Sequence, residues 1–159
     1  MINIRLQGQG KQPDGTLVQL DSKTLLFHRG PIIPVVIHPN AAFVIALQAA
    51  GKEIPQPVSG LALVDTGATT TCIDGETAVQ MGLAANGTAK MSSASHDNTD
   101  CLTYPVRLIF TGWNVNLDAA KAMGVAIGKQ GIIALVGRDL LQNCLLVYNG
   151  VDGTFSLAM

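Results

Sequence analysis

Short apolar runs broken by glycine and proline dominate the chain, and their period is that of β-strands. Ile2, Ile4 and Leu6 alternate with polar residues, the two-residue repeat of a half-buried strand. Pro13-Asp14-Gly15 is a turn signal, and residues 16–20 read as the strand returning from it. Residues 32–37 form another apolar run between Pro31 and Pro39, in which Pro34 points to an edge or a bulge. Residues 61–64, Leu-Ala-Leu-Val, predict a short strand apolar on both faces, and residues 71–73 a further one after an intervening turn. Val106, Leu108 and Phe110 alternate within 104–110, and Trp113, Val115 and Leu117 alternate again. Residues 132–136 are a continuous apolar strand. Residues 145–148 and 154–157 predict a hairpin about Asn149-Gly150 and Asp152-Gly153.

Helical patterns are few. The alanine-rich stretch 40–50 suits a short helix ending at Gly51. Ile54-Pro55-Gln56-Pro57 is a stiff, extended connector. Asp74 is placed to cap a helix over 75–81 that closes at Gly82. Residues 119–123 read as a helical turn, and a last helix starts at residues 137–141. The polar stretch 90–100 reads as an exposed hairpin tip, with His96 a solvated loop residue. His28 and His38 have no carboxylate or cysteine partner at ligand spacing. The pattern as a whole predicts a mostly-β domain.

Composition sharpens this. A chain of 159 residues fits one domain, and its 48% hydrophobic content supports a packed core without disulfides or metals. Only 13% of residues are charged, which suggests that some apolar surface is covered by a partner subunit. A net charge of −1 with no basic stripe excludes a phosphate-neutralising nucleic-acid binder. No window reaches the roughly 18 apolar residues of a membrane span, and the first residues lack the basic start and apolar core of a signal peptide. The expectation is a soluble, cytoplasmic protein without membrane contact. Cys72, Cys101 and Cys144 are odd in number and widely spaced, without a C-x-x-C or Cys/His cluster. They read as reduced, mostly buried thiols, and no metal or cofactor is expected.

One tripeptide carries candidate chemistry. Asp65-Thr66-Gly67 ends the apolar run at 61–64 and is followed by Ala68, three threonines, Cys72 and Ile73. About 70 residues later comes Leu135-Val136-Gly137-Arg138-Asp139-Leu140-Leu141. This pair of motifs resembles the retropepsin-like (retroviral-type) aspartic proteases, over roughly residues 30–148. The resemblance implies a closed acid-protease barrel with one or two short helices, assembled as a two-fold homodimer. It implies that Asp65 is catalytic and that Thr66, Gly67 and Ala68 support its loop. Thr66 would reach the partner's loop through its hydroxyl, and Gly67 would turn an N–H toward the carboxylate. Gly137, Arg138 and Asp139 would be structural, Arg138 as a buried guanidinium bracing nearby loops. In several retroviral enzymes the partner of that arginine lies four residues after the catalytic aspartate, where this chain has Thr69. The flap of those enzymes corresponds to residues near Met91, Ser92, Ser93, Ala94 and Ser95, which contain no glycine.

The chemistry accounts for the residue types. Amide hydrolysis needs an activated water and a polarised carbonyl, and two carboxylates sharing one proton supply both. A single Asp-Thr-Gly is half of such a site, so the partner of this chain is expected to be itself, with an extended peptide or protein as substrate. Ala68 offers no hydroxyl to the carboxylate, so the working pH is expected to be less acidic than that of pepsin-like enzymes. Residues 1–29 lie outside this match and read as an extension of a protease domain at 30–159: a hairpin packed on the domain, a dimerisation element or a removable segment. Two other readings stand beside the peptidase: a catalytically silent retropepsin-like dimer that binds peptides, and a phosphate-handling hydrolase with an aspartyl nucleophile. The latter lacks a second acidic motif for magnesium.

Overall fold

The computed structural model describes residues 1–93, 96–113 and 115–158. Four-residue strands begin the chain: β1 (Ile2–Arg5), β2 (Gly8–Lys11) and β3 (Leu17–Leu20). Helix α1 (Ser22–Arg29), β4 (Ile32–Pro39), helix α2 (Ala41–Ala49), β5 (Val58–Val64) and β6 (Cys72–Asp74) follow. Then come helix α3 (Gly75–Gln80), β7 (Gly87–Ser93), β8 (His96–Phe110) and β9 (Val115–Val125). A 3-10 turn at Gly128–Gln130 leads into β10 (Ala134–Val136), helix α4 (Arg138–Leu141), β11 (Leu145–Asn149) and β12 (Thr154–Ala158).

The main sheet has the order β4-β5-β10-β6-β9-β8-β7, and β4 also pairs with β8. That extra pairing closes a barrel of six strands and leaves β7 outside it as a flange on β8. Closure removes the free edges that an open sheet would present. The interior is apolar: Ile33, Val35, Ile37, Ile73, Val106, Leu108, Phe110 and Val136 are essentially inaccessible. Pro34 is tolerated because β4 pairs with β5 from Ile32 but with β8 only from Val35, so one flank of Pro34 is unpaired.

Residues 1–29 contribute more than a hairpin. β2 and β3 form one, but β1 lies antiparallel against β12 in a separate sheet of order β1-β12-β11. Ile2, Phe155 and Leu157 from that sheet and Leu26 of α1 join the core. Helix α1 was not foreseen. Asp21 caps it, accepting from the backbone N–H groups of Lys23 and Thr24, and only Leu25 and Leu26 are buried. With α1, the helices number four among the described residues: the three that the pattern places at 40–50, 75–81 and 137–141, and one more, against the one or two that the resemblance implies. Residues 119–123 depart from expectation in the other direction, since they belong to β9. No helix among the described residues is long and apolar enough to cross a membrane.

Candidate active site

β5 and β10 are parallel neighbours, with Val136 opposite Val64. Their ends therefore bring the turns at Asp65 and Gly137 side by side, although the two lie far apart in sequence. β6 pairs with the other flank of β10. The 65–71 loop thus leaves β5 on one side of β10 and re-enters the sheet on the other. The apolar ends of these strands, residues 61–64 and 134–136, are buried or half-buried on both faces, so the polar groups appear where the strands stop.

Hydrogen bonds join the two turns throughout. Asp65 N–H donates to the Val136 carbonyl at 3.0 Å, Arg138 N–H to Ala68 at 2.9 Å, and Asp139 N–H to Thr69 at 3.1 Å. The Arg138 guanidinium donates to the Thr66 carbonyl and to Thr69 Oγ1, both at 2.9 Å. Thr69, four residues after Asp65, thus accepts from the arginine. Arg138 itself is exposed, not buried as expected, because α4 begins at the surface where the two turns open to solvent. Asp139 Oδ1 accepts from Thr71 N–H at 2.9 Å, Thr71 Oγ1 at 2.8 Å and Leu140 N–H at 3.0 Å. Gly137 allows the contact, since a Cβ there would lie 2.5 Å from the Thr70 carbonyl carbon.

Asp65 is half-buried, and its Oδ1 accepts from Gly67 N–H at 2.8 Å. Thr66 and Gly67 are exposed and Ala68 is half-buried. The carboxylate opens into a cleft of about 570 Å³. One wall is the loop itself, Asp65 and residues 67–70. Cys72, Met123 and Leu135 form an apolar floor, and Lys90 and Met91 of β7 form the opposite wall. Lys90 makes a cross-strand ion pair with Asp100 at 2.9 Å. Of the flap candidates, Met91 borders the cleft and Ser92 and Ser93 end β7, while Ala94 and Ser95 lie outside the described residues. His96, expected in a loop, is the first residue of β8.

The floor is a small cluster of its own, in which Cys72, Cys101 and Met123 are buried against Met91 and Leu135. Burial pushes the Cys72 thiol up to about 11, and the carboxylate of Asp139, the Cys101 thiol and the carboxylate of Asp65 add to the rise. Cys72 is therefore a neutral, soft, apolar surface at neutral pH, not a nucleophile. Among the described residues no group of three or more His, Cys, Asp or Glu side chains is arranged to hold a metal ion. The residue that sequence reasoning overlooked is Thr71, fully buried between the turns. Its signal was weak, because a threonine beginning a strand is ordinary.

One chain offers a single carboxylate with one backbone donor, at the mouth of a cleft walled by an outer strand. That arrangement can orient a water or accept a proton, but it cannot by itself also present an acid to a carbonyl.

No family model matches this chain, and no curated protein matches it either. Among solved structures, the crystal structure of a retropepsin-like aspartic protease from Rickettsia conorii aligns with 80% of this chain and 93% of its own, at 14% identity and a TM-score of 0.38.

Proposed function

We propose that the chain is one half of a homodimeric aspartic endopeptidase, with Asp65 of each copy forming the catalytic pair. The observation that carries this is the placement of Asp65: a carboxylate at the end of an apolar barrel strand, on a loop bonded throughout to the Gly137-Arg138-Asp139 turn, facing a cleft. Like charges held close cannot both ionise, so the pair would share one proton. The ionised member takes a proton from water as that water attacks the peptide carbonyl. The protonated member donates to the carbonyl oxygen. Thr66, Gly67 and Arg138 are exposed around Asp65, which leaves that face open to a second copy. The substrate would lie extended along the free edge of β7, with a side chain on the apolar floor of Cys72, Met123 and Leu135. A soluble, cytoplasmic setting suits this reading.

The test is cleavage of a mixed peptide library by wild type and Asp65→Asn across roughly pH 3 to 8, a range that brackets carboxyl and histidine values. Molar mass is measured by light scattering in the same samples. Asp65-dependent cleavage by a dimer is expected, with an optimum less acidic than pepsin-like enzymes because Ala68 adds no hydroxyl donor. A folded dimer that binds peptides and cleaves none points instead to the silent binding module. A strictly monomeric chain contradicts the shared pair.

A further inference from the structure

The Asp65 carboxylate has little of its own to hold it. Among the described residues, its side chain accepts one bond, from Gly67 N–H two residues away. The direction in which it points is therefore set by the backbone of the 65–71 loop, and that loop is anchored at its far end by Thr71. The Thr71 hydroxyl donates to Asp139 Oδ1 at 2.8 Å and accepts from Gly137 N–H at 3.1 Å. Its own N–H donates to the same carboxylate oxygen at 2.9 Å. The side chain is fully buried, and a Cβ on Gly137 would stand 2.7 Å from the Thr71 nitrogen. One hydroxyl thus spans two backbones already in contact.

We infer that Thr71 is a positioning residue for Asp65: its hydroxyl sets the separation of the two turns, and so the gap across which two Asp65 carboxylates share a proton. The inference rests on the proposed reading of Asp65 as half of a pair. Valine has nearly the shape of threonine, so Thr71→Val removes the hydroxyl with little change of volume. Gly137 N–H then loses its acceptor, and Asp139 loses one of its donors. Unpaired groups in a buried site are costly, and the turns relieve them by shifting. Charge coupling falls with distance, so a wider gap draws the two proton affinities of the pair together. Among the described residues, the other ionisable groups around the loop are Lys90 on β7 with its partner Asp100 on β8, Arg138 and Asp139 on α4, Cys72 on β6 and Cys101 on β8, and all are retained in this variant. A residue that merely stabilised the fold would leave that splitting unchanged.

The experiment records the Asp65 carboxyl carbon chemical shift against pH in folded wild type, Thr71→Val and Thr71→Ser, with kcat and KM on a cleaved peptide. Wild type is expected to titrate in two separated steps. In Thr71→Val the steps converge and kcat falls on the order of 10²-fold, the effect of a small misplacement of a reacting group. KM stays within about threefold of wild type, since the cleft walls are untouched. Thr71→Ser restores both the splitting and kcat. If Thr71→Val does not fold, Thr71→Cys, which exchanges the hydroxyl for a weak thiol donor, provides the same comparison. A two-step wild type with an unchanged Thr71→Val overturns the inference and leaves the pair intact. A wild-type Asp65 that titrates in one ordinary step overturns the pair, and the inference with it.

Discussion

At the residue scale, buried polar side chains do the fastening, and two of them titrate in ways that can be checked. Asp74 is 5% exposed and caps α3, accepting from Thr77 N–H and Thr77 Oγ1. It also accepts from Ile127 and Gly128 N–H, so it ties β6 to the 3-10 turn that follows β9. Burial pushes its carboxyl up, but the bonds from Thr77, Gly128 and Ile127 outweigh that, and the net direction is down. A carboxyl lower in the folded than in the unfolded chain contributes stability at neutral pH. That contribution is lost as pH falls below about 4 and through the folded value. Asp74→Asn is accordingly expected to cost roughly 1–3 kcal/mol at pH 7 and to flatten the acid limb of stability, read from urea midpoints across pH. The thiols give a second check. Cys72 and Cys101 are buried, Cys144 is partly exposed, and the Cys72 thiol is pushed up to about 11. Iodoacetamide in the folded protein at neutral pH should label Cys144 well before Cys72, as peptide mass mapping would show. Labelling of Cys72 first would contradict the closed floor of the cleft.

At the scale of elements, what was legible in the sequence follows from how each element earns its stability. Residues 61–64 of β5 and the strand β10 could be read because they are continuous apolar runs that stop at polar turns, and this made Asp65 and the Gly137 turn stand out. Helix α1 could not, because its segment buries only Leu25 and Leu26 and depends on Asp21 at its start. Residues 119–123 misled for a different reason. Val106 faces Ala119 while Tyr104 faces Ala122, so β9 carries an extra residue there. The bulge moves the buried side from Leu117 and Ala119 to Ala122 and breaks the alternation that identifies a strand. The link between Thr71 and Asp139 spans 68 residues and appears only once β5, β10 and β6 are in register. Gly137→Ala should be among the most damaging small substitutions in the chain, since its Cβ meets backbone rather than a movable side chain. A loss of several degrees in Tm is expected, at roughly 2–4 °C per kcal/mol for a domain of this size. An unchanged Tm would mean that the two turns are not in contact. β11 raises a different question. It is the outer strand of its sheet, and Leu145, Val147 and Tyr148 are each about half exposed or more, on a segment without charge. Such an edge invites pairing. In the proposed dimer Val147→Lys is expected to raise the dissociation constant, measured by sedimentation, while a wild-type value would place the contact elsewhere.

At the scale of the whole molecule, the barrel closes through β4 and β8, and the ends of the chain close against each other through β1 and β12. The amino-terminal segment is therefore bound to the carboxy-terminal one. Removing residues 1–7 would strip Ile2 and Leu6 from the core and uncover Phe155 and Leu157. Each buried aliphatic side chain is worth roughly 1.5–3 kcal/mol, so a marked fall in stability is expected from thermal unfolding of the truncated chain. The central claim, that two copies of Asp65 make one site, is tested most directly by subunit mixing. A fixed amount of wild type is assayed for peptide cleavage after exchange with increasing Asp65→Asn protein. If the pair is shared, mixed dimers are inactive, and an equal amount of the variant lowers cleavage to about half, with further loss as the variant is added. Cleavage that stays constant on mixing, or that Asp65→Asn performs alone, would contradict it.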